Sequence, residues 1–230
     1  MKKPYGRKIK KQVSRILEGN RRDGALAKLS QIPDEQLVGH LFAHLYHGNE
    51  LIKFRSAAAM GTLGKRMARS RIERARIMLR RIMWNLNDES GGIGWGSPEA
   101  MGDILSHSPE LALEFKSILF SYLDPGGNHI EHDMLQRGVL WGVGTYLAAS
   151  PEDLPESTQT LLSGYLHSQD PVKRGYALRA LVNAGRLDCS IVPEALLNDD
   201  RVIDMFNGWD MTPVRIKTLL KGCRQKKARA

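Results

Sequence analysis

Prolines set directly behind helix-capping residues constrain this chain more than any other feature. Ser97-Pro98-Glu99, Ser108-Pro109-Glu110, Ser150-Pro151-Glu152 and Asp170-Pro171 each place a side-chain oxygen before a proline. The oxygen can cap orphan backbone N–H groups, and the fixed φ of proline suits the first helical turn. Where glutamate follows, it also suits the positive end of the helix dipole. Between these starts, apolar residues recur at steps of three and four. Ile72, Ala75, Leu79, Ile82 and Leu86 mark one buried face, and Leu37, Leu41 and Leu45 mark another. No stretch alternates convincingly at period two. The sequence predicts an all-α chain of about a dozen helices. An apolar fraction of 42% argues against disorder, and 230 residues can bury a sizeable core.

A repeat lies beneath the periodicity. Phe54-Arg55 is followed by Ala59 and Leu63, and Val172-Lys173 is followed by Ala177 and Leu181 at the same offsets. About three units of roughly 39 residues would separate the two occurrences, within the range of helical repeats. That period projects small residues onto Pro98 and Gly138, and onto Gly102 and Gly142, where paired helices would approach closely. Asp170-Pro171-Val172-Lys173 through Ala180-Leu181 resembles the HEAT-like repeat over about residues 34–206. The resemblance implies an α-α superhelix that binds something along its concave face. It divides the chain into a basic N-terminal helical arm (1–30), a HEAT-like repeat domain (31–210) and a basic C-terminal helix and tail (211–230).

The formal charge of +9, from 34 Lys and Arg against 25 Asp and Glu, raises the prospect of an anionic partner. The charge is segregated, however. Residues 1–28 carry ten basic and two acidic side chains, residues 65–81 eight and one, and residues 213–230 seven and none. Residues 88–204 carry seven basic and eighteen acidic. Two explanations remain open: solvated charged faces around an acidic body, or an electrostatic footprint on the Arg-rich segment. No long apolar run or signal-like segment occurs, and two cysteines, Cys189 and Cys223, make no secreted disulfide framework. A cytoplasmic protein without a membrane partner is expected.

The repeat is interrupted by the run from Trp84 to Glu99, WNLNDESGGIGWGSPE. Four glycines fall between Gly91 and Gly96, two tryptophans flank the acids, and Asp88 and Glu89 sit where a helix dipole disfavours negative charge. An ordinary long turn, with Asp88 or Glu89 paired to Arg81 or Arg80 and both tryptophans in the core, would explain it. So would a binding loop. The block, with the PEAMG stretch after it and the region Gly127 to Trp141, resembles a family of small bacterial HEAT-repeat proteins, some described as phycobilin-lyase-like repeats. That resemblance implies relatives but supplies no activity.

Trp84, Asp88 and Gly102-Asp103-Ile104-Leu105 also resemble HEAT-like DNA glycosylases of the alkylpurine type. That likeness implies Asp88 as a catalytic carboxylate, Trp84, Trp95 or Trp141 as cleft aromatics, and Arg69, Arg76 and Arg80 as phosphate holders on duplex DNA. The spacing and the glycine run depart from that family.

His40, His44 and His47 share a helical face beside the leucine stripe, and His129, Glu131, His132 and Asp133 follow a glycine turn. Either group could serve a metal, although neither has structural-zinc spacing, and helix-start chemistry explains the second as well. No nucleophile elbow or phosphate loop occurs, and no cofactor is implied. Arg201 to Trp209 is expected as a final capping helix, with Phe206 and Trp209 over the end of the core.

The expectation that follows is a non-enzymatic binding or adaptor protein. Its acidic, Trp-lined site would comprise Trp84, Asn87, Asp88, Glu89, Trp95, Glu99, Glu131 and Trp141 and take a protein or small ligand. The alternative is the glycosylase-like enzyme, with nucleic acid as partner.

Overall fold

The computed structural model describes residues 5–87 and 94–220. Among these, the chain forms α1 (Tyr5–Glu18), α2 (Arg22–Ser30), α3 (Asp34–Leu45), α4 (Glu50–Asn87), α5 (Ser97–His107), α6 (Pro109–Ser121), α7 (Asp133–Ala149), α8 (Glu156–Tyr165), α9 (Pro171–Asn183) and α10 (Glu194–Leu197). The helical backbone of α4 is broken at Arg71, so its two halves behave as separate helices. The architecture is all-α in the main, with one small two-stranded sheet.

The prolyl starts act unequally. Asp170 caps α9 as expected, its Oδ1 accepting hydrogen bonds from the N–H groups of Val172 (2.8 Å) and Lys173 (3.4 Å). Ser108 precedes α6 without a side-chain cap bond, and its hydroxyl donates to Glu110 instead. Pro151 opens only a 3-10 turn, and α8 starts five residues later at Glu156. Ser97 is the first residue of α5 rather than its cap. The cap position falls to Gly96, whose φ of +72° favours glycine, and a Cβ there would meet the backbone oxygen of Leu45 at 3.0 Å.

Helices α4, α5, α7 and α9 pack in series, each against the next, while α3 lies on α4, α6 on α5 and α8 on α9. Small residues set the spacing of the inner row. A Cβ on Gly102 would fall 2.3 Å from the carbonyl oxygen of Gly142, so α5 and α7 cross backbone to backbone. Several side-chain hydrogen bonds between helices span similar sequence intervals. Arg76 donates to Glu114 (38 residues apart), Lys173 to Gln136 (37), Arg179 to the Trp141 carbonyl (38) and Asn183 to the Gly144 carbonyl (39).

Both ends of the described chain fold back onto α4. The segment expected as a capping helix is a β-hairpin, β1 (Val202–Phe206) with β2 (Met211–Arg215), followed by a 3-10 turn over Ile216–Leu220. Strand β2 and this turn also replace the start of the expected C-terminal helix. Val202 to Phe206 places Ile203 and Met205 inward, and Asn207-Gly208 supplies the turn, with Gly208 at φ +99°. Phe206 and Trp209 do cover the core, and Phe206 stacks on Phe54 at 5.3 Å between centroids.

Arg55, 1% exposed, ties the ends together. It donates to the carbonyls of Trp209 and Leu17, both at 2.7 Å, and to Asp210 Oδ1 at 2.9 Å. The indole N–H of Trp209 donates to the Gly19 carbonyl at 2.8 Å.

Candidate functional site

A cavity of about 230 Å³ lies among the first turns of the inner helices, beneath β1. Glu50, Lys53 and Phe54 of α4, Glu99 of α5, Arg137 and Gly138 of α7, and Tyr176 of α9 line it. The serial packing of α4, α5, α7 and α9 brings these four separate segments to one place. Strand β1 adds Asp204, whose backbone carbonyl accepts a hydrogen bond from the Tyr176 hydroxyl at 3.1 Å.

Glu99 dominates the chemistry of the cavity. The residue is 3% exposed, and its Oε1 lies 3.2 Å from Lys53 Nζ. Its Oε2 is fully buried and has no hydrogen-bond partner among the described residues. A buried carboxylate oxygen left in this state costs free energy, on the order of 1–3 kcal/mol or more for a charged group. Gly138 makes the room, since a Cβ there would come within 2.6 Å of Oε2. Lys53 also meets Glu50, at 3.3 Å. Burial alone would lower the Lys53 pKa, but the two carboxylates hold it above its ordinary value, so the ammonium is fixed. Arg137 is held aside by Asp170 at 2.7 Å.

Aromatic rings back the cavity. Trp141 is buried with its centroid 5.1 Å from Phe54 and 5.0 Å from Tyr176, both edge-on. The Arg179 guanidinium covers the Trp141 ring at 3.8 Å. The Trp141 Nε1 is buried and has no partner among the described residues.

The expected site residues therefore divide. Glu99 and Trp141 come together around the cavity. Trp95 is half-buried and packs edge-on against His132 at 5.1 Å. Glu131 is exposed. Trp84, 73% exposed, and Asn87 lie at the end of α4. Asp88 and Glu89 fall outside the described residues.

Five of the eight cations in the Arg-rich segment pair with carboxylates. Arg76 pairs with Glu114 and Glu73, Arg80 with Glu73, Arg66 with Asp34, and Arg74 with Glu35. Hydrogen bonds from Arg80 and then Arg76 hold the Glu73 carboxyl below its ordinary pKa. Arg69 is exposed.

Among the described residues, no three His, Cys, Asp or Glu side chains converge on a possible ion. His132 instead caps α7 through Nδ1, which accepts from the Met134 N–H at 3.3 Å, and His129 lies beside Gln136. In the other group, His44 is buried between Ser14 and the His40 carbonyl.

Sequence reasoning passed over Lys53, Arg137 and Tyr176, whose placement depends on helix packing. It also passed over Asp103, quoted only within a motif. Asp103 is 9% exposed on α5, and burial pushes its carboxyl up to about 6 against the opposing influence of His107, Arg179 and Arg22.

No protein-family model matches the chain. The chain is similar to an uncharacterised protein of Archaeoglobus fulgidus, 26% identical over 187 residues, covering 81% of this chain and 95% of the relative. Among solved structures, the crystal structure of an engineered protein aligns with a TM-score of 0.47 at 16% identity, covering 83% of this chain and 78% of that one. Among the described residues, no helix is long and apolar enough to cross a membrane.

Proposed function

We propose that the chain is an α-solenoid of HEAT-like units that works as a non-catalytic binding module, with its ligand site at the Glu99 cavity. Four hydrogen bonds donated across helices by Arg76, Lys173, Arg179 and Asn183, each spanning 37–39 residues, support the solenoid, because stacked units place equivalent positions side by side. The observation that carries the binding site is the buried Oε2 of the cavity-lining Glu99, an acceptor with no donor aimed at it among the described residues.

Such a site takes a hydrogen-bond donor, and a cationic one best, since Lys53 neutralises only part of the acidic lining supplied by Glu50, Glu99 and Asp204. The cavity is smaller than the roughly 300–1,000 Å³ typical of cofactor and drug-sized sites. It suits an ammonium or guanidinium group on a small ligand or on a partner's side chain. The rings of Phe54 and Tyr176 supply the flanking apolar contact. The alternative of a glycosylase-like enzyme gripping duplex DNA through Arg69, Arg76 and Arg80, with Asp88 as its carboxylate, has less support. Arg76 and Arg80 already hold carboxylates of the protein.

Isothermal titration with Nα-acetyl-lysine amide and Nα-acetyl-arginine amide tests the reading. Saturable binding of one of them, lost in Glu99→Gln and retained in Trp84→Ala, is the expected result. Binding that survives Glu99→Gln, or heats indistinguishable from dilution for both probes, would reject it.

A further inference from the structure

The N-terminal arm holds a second recognition surface, independent of the Glu99 cavity. Helices α1 and α2 enclose an open groove of about 1130 Å³ lined by Lys8, Lys11, Arg15, Arg21, Arg22 and Lys28, with Asp23 as the single acid in the lining. All six cationic side chains are exposed, and none forms an ion pair among the described residues. Arg22 is also close enough to the buried Asp103 to favour its ionised form. On α4, by contrast, carboxylates occupy Arg66, Arg74, Arg76 and Arg80. Among the described residues, all six groove cations lack a carboxylate partner, whereas on the Arg-rich segment only Lys65, Arg69 and Arg81 do, so unpaired positive charge is more concentrated in the groove.

Three features of the groove decide what it fits. A basic amphipathic helix such as α1 would ordinarily suggest a membrane surface. Here its apolar stripe, Ile9, Val13 and Leu17, is spent on the core, so only the basic side is presented. A protein partner would be expected to meet aromatic or large apolar anchors. The groove offers only Ile16 and Ala25 as apolar lining residues. Single-stranded nucleic acid is gripped by stacking its bases on aromatic rings, and among the described residues no aromatic lines the groove. Cations spread along an open channel without stacking platforms match evenly spaced phosphates.

We infer that the α1–α2 groove binds the phosphate backbone of a nucleic-acid duplex, without reading its sequence. Binding of this kind releases counterions, so log K falls with log salt at a slope of about −0.9 per phosphate engaged. With up to six contacts, affinity should drop by roughly a thousandfold between 50 and 200 mM NaCl.

Fluorescence anisotropy of the full chain with a labelled 20-base-pair DNA duplex tests this. A Lys11→Ala/Arg15→Ala/Lys28→Ala variant should keep its helical circular dichroism and melting temperature, lose more than tenfold in affinity at 50 mM NaCl, and show a salt slope shallower by about three. An Arg76→Ala/Arg80→Ala variant should bind within about twofold of the unmodified chain. Failure to bind duplex at 50 mM NaCl, an unchanged affinity and slope in the triple variant, tighter binding of the corresponding single strand, or stronger retention on phosphatidylserine vesicles would each overturn the inference.

Discussion

Asp103 shows how one buried side chain can make stability depend on pH. Burial raises its carboxyl to about 6 from an ordinary value near 3.8. Between those values the folded chain binds the proton more readily than the unfolded chain. The contribution to stability is therefore full below about pH 4 and is lost as pH rises through about 6. A shift of that size corresponds to roughly 2–3 kcal/mol. Asp103→Asn, which keeps the shape and removes the charge, should raise the melting temperature relative to the unmodified chain at pH 8. The difference should vanish near pH 4, and parallel thermal melts at the two values would show it.

Glu99 is paired directly with Lys53 at 3.2 Å. At Trp84, 73% exposed, alanine should change the melting temperature by no more than about a degree, equivalent to a few tenths of a kcal/mol.

At the scale of elements, the α5–α7 crossing is the contact least tolerant of change. Gly142 has the Pro98 carbonyl oxygen 2.4 Å from where a Cβ would stand, and Gly102 has Gly142 itself at 2.3 Å. A methyl group at either position must push two helix backbones apart, which no rotamer change can relieve. Gly142→Ala should destabilise by about 3 kcal/mol, at the upper end of overpacking costs, and urea unfolding would measure it. The small residues at these positions were visible in the projected repeat. Residue type does not announce the hairpin, because Val202 to Phe206 carries no period-two alternation and Asn207-Gly208 alone gives a hairpin turn signal there. A helical expectation for the whole chain outweighed a short local pattern.

For the whole molecule, Arg55 joins α4, the N-terminal arm and the C-terminal hairpin through two buried carbonyls and Asp210. Truncation to alanine leaves those carbonyls without their donor and removes the ring contact with Trp209. A loss of about 3 kcal/mol is expected. Hydrogen exchange should accelerate in α1 and in β1 together, because one side chain secures both. Exchange confined to one of them would mean that the two ends are fixed independently.

Periodicity and proline placement determined the helical class of the chain, because a helix advertises its buried face every three or four residues in one linear segment. The small residues at 102, 138 and 142 were legible in the sequence itself, and 102 and 142 fall where α5 and α7 cross. The candidate site was legible only in part. Glu99 and Trp141 stood out by type, but nothing linear joins them to Lys53, Tyr176 or Asp204, which lie 46, 77 and 105 residues from Glu99. Charge was the least legible property. The same arginine is an electrostatic footprint or a neutral surface according to whether a carboxylate from another helix reaches it, as Glu114 reaches Arg76. Pairing and burial depend on distances across the fold, and those were decided only when the helices packed.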